Sequence, residues 1–325
     1  MVARVRDVSL VTDYGGFITE ILGEVERGED KSLGLVVLLA LGLIGGTVFG
    51  CAFGVASDML DKSFNSSDEV RSALGAPILV HIPQAPGAGR LRVLRRPSRG
   101  HKVAIYESGD LRAEAIRSLR TSLFARLDSS ECQVIGFVAP HEGDGTTEVV
   151  VNLATALAQA QSKVLLIDAN LQNPRIQSAF GIPSGPGLRD LLTGEVELAD
   201  AVSDTSDPNL TVLPAGKTLA PDKQSQALLR LPHVVAALRH RFDFILVDTS
   251  AMLGGSDAEI TATECDSAVL VVRLTKNGRP DAVRVRERID DLDVKLLGVV
   301  VNCGAPGGAH YVNHSIRFDA AASAK

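Results

Sequence analysis

The chain has 325 residues, a mass of 34.3 kDa and 45% apolar residues, enough for one sizeable α/β domain with appendages but not for several independent cores. A net charge of −6 and a pI near 5.7 exclude whole-surface attraction to nucleic acid, so no nucleic-acid partner is expected and only local basic patches can meet polyanions. Cysteines 51, 132, 265 and 303 form no C-x-x-C pair and have no histidine at ligand spacing, which gives no zinc site and points to reduced thiols in a reducing compartment.

Residues 1–31 form a short acidic arm with a brief amphipathic pattern at Ile18, Ile21, Leu22 and Val25. Between Lys31 and Asp58 no residue is charged, and residues 32–57 are mostly Leu, Val, Ala, Ile, Phe and Gly. At about 1.5 Å per residue this stretch can cross a hydrocarbon layer of about 30 Å, and it starts too deep and runs too long for a cleaved signal peptide. A transmembrane helix is expected, with a buried core helix as the alternative. Gly42, Gly46, Gly50 and Gly54 recur every four residues along one face, which permits close helix packing in lipid. Basic residues near the two ends are too evenly divided for the positive-inside rule to orient the span.

The next segment, 58–102, reads as a helix over 58–74, a short strand over 77–83 and a basic linker over 84–102. The linker carries Arg90, Arg92, Arg95, Arg96, Arg99 and Lys102, and suits either an anionic lipid surface or a solvated tether. From 103 to 303 helical and apolar strand patterns alternate, as in a mostly parallel, doubly wound sheet covered on both faces. Strands are expected at 133–139, 163–168, 210–213, 242–248, 267–273 and 295–302, and helices at 111–127, 147–161, 225–240 and 279–290. The Gly/Ala-rich tail, 304–325, is expected to be loose.

Ligands of such sheets bind beyond the C-terminal strand ends. The strand at 133–139 runs into Pro140-His141-Glu142-Gly143-Asp144-Gly145-Thr146-Thr147 and then a helix. A Gly-rich turn feeding a helix aims several backbone N–H groups and the positive helix end at one point, where an anion binds. Gly143, Asp144, Gly145, Thr146 and Thr147 are the candidate phosphate-binding residues, but Thr146 stands where a nucleotide hydrolase or kinase has Lys. Asp168 and Asp248 end two further strands. With Thr147 they form an all-oxygen set that suits Mg²⁺, although an aspartate ending a strand also commonly caps the following helix.

These motifs, in this order, resemble the bacterial tyrosine kinases of capsule and exopolysaccharide export, whose kinase domain belongs to the deviant-Walker group shared with MinD-type and partition ATPases. The resemblance runs from the apolar span to Asn302. It includes residues 57–63 and 68–70, Glu114-Ala115-Ile116-Arg117-Ser118-Leu119-Arg120-Thr121, residues 164–169, 187–194 and 213–216, and Phe242-Asp243-Phe244-Ile245-Leu246-Val247-Asp248-Thr249. It implies ATP or ADP and Mg²⁺ as cofactors, Asp168 as catalytic base or metal ligand, and Asn302 close to the adenine. Glu114, Arg117 and Arg120 would fall on an E-x-x-R-x-x-R motif used in ring-shaped self-association; the same residues also suit a solvated helix face. Also implied are a cytoplasmic domain on a single-pass inner-membrane helix and an oligomeric partnership with a polysaccharide co-polymerase or export machinery.

The departures fall on charged positions. Where the family has Gly-Glu-Gly-Lys-Ser-Thr-Thr, this chain has Gly143-Asp144-Gly145-Thr146-Thr147-Glu148-Val149; where the family has Asp-Ala-Asp-Leu-Arg, it has Asp168-Ala169-Asn170-Leu171-Gln172. The tail's tyrosine cluster is reduced to Tyr311 as the candidate phosphoacceptor. The family's large extracytoplasmic domain and first membrane helix are expected to be absent, leaving the 31-residue arm. Losing one well-placed transition-state donor costs about 10²- to 10³-fold in rate, whereas backbone amides and the oxygen ligands keep much of the binding. The expectation is a catalytically impaired kinase-like protein of polysaccharide chain-length control or export, with an active ATP-dependent tyrosine autokinase as the alternative and a partition-type ATPase as a third class.

Overall fold

The computed structural model describes residues 34–60, 64, 66–84, 103, 105–107, 109–127, 131–217, 221–274 and 278–304. The N-terminal arm, nearly all of the basic linker and the tail with Tyr311 lie outside the described residues. Residues 1–59 and 60–325 form two compact units.

Of the first unit the described part is one helix, α1 (Leu35–Leu60), whose 26 residues at about 1.5 Å each exceed a bilayer core. Its window Val37–Gly54 is long and apolar enough to cross a membrane, and none of it is buried within the chain. Leu43 and Phe49 are exposed at 73% and 78%, a degree of apolar exposure foreign to a soluble core helix. The one hydroxyl within Val37–Gly54, Thr47 Oγ1, donates to Leu43 O at 2.7 Å, so the helix satisfies it internally.

The second unit begins with α2 (Ser67–Leu74) and β1 (Ile78–Pro83). The single helix expected over 58–74 is interrupted: α1 ends at Leu60, Phe64 is fully buried, and helix restarts where Ser66 Oγ accepts from Glu69 N at 3.3 Å. Then follow α3 (Leu111–Phe124), β2 (Gln133–Val138), α4 (Thr146–Gln159) and β3 (Val164–Asp168). The stretch between the third and sixth strands holds α5 (Ile176–Ala179), α6 (Leu188–Thr193), α7 (Leu198–Ala201), β4 (Ser203–Asp204), β5 (Leu210–Leu213), α8 (Pro221–Leu228) and α9 (Leu231–Leu238). The chain continues through β6 (Phe244–Asp248), α10 (Ser256–Thr263), β7 (Ser267–Arg273), α11 (Arg279–Asp291) and β8 (Lys295–Gly304).

The eight strands lie in the order β1-β8-β7-β2-β6-β3-β5-β4, and every pairing is parallel except β4 with β5. Parallel strands need apolar residues on both faces, and β3 and β6 are accordingly buried throughout. The helix expected over 225–240 is two helices, with Pro232 in the first turn of α9, where its missing N–H costs nothing. Functionally, the register matters most. Asp248 pairs with Phe137 at the end of β2 on one side and with Asp168 at the end of β3 on the other. On the far side of β2, Arg273 and Asn302 are register partners at the ends of β7 and β8.

Candidate functional site: a phosphate loop over a buried carboxylate pair

Beyond β2 the chain turns through residues 139–145 into α4, which opens at Thr146, one residue before the expected start. Gly143 and Gly145 have φ of +77° and +99°, conformations that glycine adopts without steric cost. Asn302 leaves no room for anything larger at Gly145, since a Cβ there would lie 2.0 Å from its Nδ2. Two side chains hold successive carbonyls of the loop. Arg273 Nη1 donates to Gly143 O and Asn302 Nδ2 to Asp144 O, each at 2.8 Å. Because a trans peptide sets N–H opposite C=O, drawing both carbonyls toward β7 and β8 turns the amides of Asp144 and Gly145 the other way. The Asp144 carboxylate is buried and accepts from His141 N at 2.9 Å, so it braces the loop from within.

On the opposite flank, Thr147 Oγ1 donates to Asp248 Oδ2 at 2.6 Å, and Asp168 Oδ2 accepts from the amides of Arg175 and Ile176, both at 3.1 Å. Both carboxylates are fully buried, and the second oxygen of each, Asp168 Oδ1 and Asp248 Oδ1, has no hydrogen-bond partner. Burial pushes Asp168 up to about 7 against the pull of its amide donors and the Arg189 charge. Asp248 is driven well above the ordinary carboxylate range, first by burial and then by the neighbouring Asp168 charge, with the Thr147 hydroxyl acting in the other direction. Two orphaned buried carboxylate oxygens beside a threonine hydroxyl fit a hard divalent cation that keeps several waters. Thr147, Asp168 and Asp248 would hold Mg²⁺, which when bound neutralises phosphate charge.

The side chains at 148, 170 and 172 are engaged within the chain. Glu148 turns to Arg112, 3.7 Å away, and Arg112 also pairs with Asp110 at 2.6 Å and lies over the Tyr106 ring. The added anion is therefore partly offset rather than left at the loop. Asn170 Oδ1 accepts from Asn173 N at 3.2 Å, and Gln172 Nε2 donates to Asp257 Oδ2 at 3.3 Å, so both substituted positions brace the segment after β3. Buried Arg189 ties this segment to the 214–217 turn by donating to Leu171 O and, at 2.9 Å, to Gly216 O.

The nucleotide and metal candidates thus come together, whereas the E-x-x-R-x-x-R residues lie on α3 and divide in two. Glu114 and Arg117 form an exposed pair, while Arg120 Nη1 donates to Ala156 O of α4 at 2.8 Å and serves helix packing. Sequence reasoning missed Arg112, Arg175, Arg189 and Arg273. The last is the one with a readable signal, since a charged residue ending the apolar strand run next to Asn302's strand belongs at the ligand-facing edge.

A parallel sheet with a Gly-rich loop leading from a central strand into a helix, flanked by strand-end aspartates, defines a P-loop α/β protein. Residues 132–289 match the family model described as an AAA domain. The chain is 30% identical over 193 residues to the tyrosine-protein kinase CpsD of Streptococcus agalactiae, covering 58% of this chain and 82% of that protein. It is 25% identical over 266 residues to the tyrosine-protein kinase Ptk of Acinetobacter johnsonii, covering 82% of this chain but 36% of that one. The solved BceF tyrosine kinase domain superposes with a TM-score of 0.63 at 31% identity, covering 75% of this chain and all of that one. The chain belongs to the bacterial tyrosine kinase family, and it spans little more than a third of the length of its longer curated relatives.

Proposed function

We propose that this chain is a membrane-anchored, kinase-like P-loop protein that binds Mg²⁺-nucleotide but turns it over poorly, and that acts in capsule or exopolysaccharide assembly as a regulatory partner of a polysaccharide co-polymerase. The observation that carries this reading is the conjunction of Thr146 in the lysine position with an otherwise complete oxygen set, Thr147, Asp168 and Asp248. Phosphoryl transfer depends on positioning and charge neutralisation, so removing the loop cation weakens turnover more than it weakens capture by amides and metal. The α1 helix supports anchoring by its length and apolar surface. The exposed Glu114–Arg117 pair supports a contact surface on α3 for self-association.

The second reading is an active ATP-dependent autokinase with Asp168 as base and Tyr311 as acceptor. Its favouring observation is the internal offsetting of Glu148 by Arg112, which leaves the loop less anionic than the sequence suggests. Calorimetric titration of the detergent-solubilised full chain with ATP separates binding from no binding. Binding that needs Mg²⁺ and is lost in Asp248→Asn supports the proposal; no binding with Mg²⁺ present rejects it.

A further inference from the structure

The geometry points to a cation outside the loop: we propose that Arg175, on the β3 side of the site, engages the terminal phosphate of a bound nucleoside triphosphate in the ground state, a contact that adds affinity without taking over the loop lysine's part in turnover. This rests on the nucleotide-binding reading above and assigns the part of the ligand that one residue recognises.

Four arginines surround the loop and its carboxylate pair, and three are committed to the protein itself. Arg112 is paired with Asp110 and Glu148. Arg189 is buried and holds Leu171 O and Gly216 O. Arg273 is bonded to Gly143 O. Arg175 differs in that only its backbone is engaged, through the 3.1 Å hydrogen bond from its N–H to Asp168 Oδ2. Among the described residues the side chain of half-buried Arg175 has no hydrogen-bond or ion-pair partner.

The backbone bond fixes the root of this side chain directly beside the carboxylate pair. Its charge reaches the pair as well, since Arg175 draws Asp248 back toward the ionised form. A guanidinium never loses its proton and presents a fork of donors matched to phosphate oxygens. A phosphate offers such a cation charge-assisted, two-pronged hydrogen bonds. The loop amides turned away from β7 and β8 lie on one side of the metal ligands, and Arg175 is rooted on the other, past Asp168. Amides therefore take the inner phosphates, and a cation rooted beside Asp168 meets the outermost one.

Calorimetric titration of the full chain in detergent with Mg²⁺-ADP and with a non-hydrolysable Mg²⁺-ATP analogue tests this on wild type, Arg175→Gln and Arg175→Lys. Arg175→Gln should bind the triphosphate analogue roughly tenfold more weakly, the scale of one lost charge-assisted hydrogen bond, with ADP affinity unchanged within twofold. Arg175→Lys should recover part of the difference, which a purely structural role would not produce. Equal weakening for both nucleotides, or no weakening, overturns the assignment while leaving nucleotide binding intact. A wild type that binds neither nucleotide overturns the nucleotide reading and this assignment with it.

Discussion

Thr147 and Asp248, 101 residues apart in the chain, meet in a 2.6 Å hydrogen bond at the mouth of the sheet. The threonine lies in the first turn of α4 and the aspartate ends β6, so the bond joins the phosphate loop to the strand that also adjoins Asp168. Without a divalent cation, that bond and the amides on Asp168 are what stabilise two buried carboxylates.

The pair makes the metal-free protein sensitive to pH. Asp168 is raised in the folded state from 3.8 to about 7, so the folded chain binds more protons than the unfolded chain between those values. Stability from this group is fully present below about pH 4 and is lost as pH rises to about 7. Thermal melts of the metal-free full chain should therefore show a falling Tm from pH 5 to pH 8, with Mg²⁺ restoring it at the upper end. In Asp248→Asn one of the two like charges is gone, so the fall with pH should shrink and the response to Mg²⁺ should vanish. An unchanged pH profile in that variant would show that the carboxylates do not titrate as a pair.

Gly145→Ala tests the loop's dependence on Asn302. The new methyl would meet Nδ2 at 2.0 Å in a backbone at φ +99°, so the Asp144 carbonyl clamp must open. A cost of about 1–3 kcal/mol in stability is expected from the strained conformation, together with loss of measurable nucleotide binding. Full retention of nucleotide affinity would mean that the clamp does not shape the amide nest.

The α3 residues should separate by role. Arg120→Ala removes a donor to Ala156 O and should cost about 1 kcal/mol by chemical denaturation. Glu114→Ala breaks an exposed pair, for which a change within about 0.5 kcal/mol is expected, while self-association measured by analytical ultracentrifugation should weaken. If the stability costs came out equal, Arg120 would belong to the same outward surface as Glu114.

Much of the sheet is readable from the sequence because buried parallel strands are apolar on both faces: Val164–Asp168 and Phe244–Asp248 are five-residue apolar runs, a length that favours strand over helix. The loop and both aspartates are readable for the same reason, since each follows such a run. Helices of four to six residues, α5, α6 and α7, were missed because so short a segment shows no helical periodicity. α6 is instead held by tertiary contacts such as Gly187 N to Asp190 Oδ2 and Lys217 N to the same oxygen. The side-chain clamps were equally hidden. Arg273 to Gly143 O and Arg112 to Glu148 join residues 130 and 36 positions apart, and no local pattern encodes which carbonyl or carboxylate each will find.

On the proposed function, this site captures Mg²⁺-nucleotide while Thr146 limits turnover. The direct measurement is single-turnover incubation of the full chain with γ-labelled ATP and Mg²⁺, wild type against Thr146→Lys. The expected result is that nucleotide bound to wild type is recovered intact, while Thr146→Lys releases phosphate or labels protein at a rate higher by at least about 10²-fold, the scale of one restored transition-state donor. Prompt Mg²⁺-dependent phosphate release or tyrosine labelling by wild type, at the rate of the lysine variant, would contradict it.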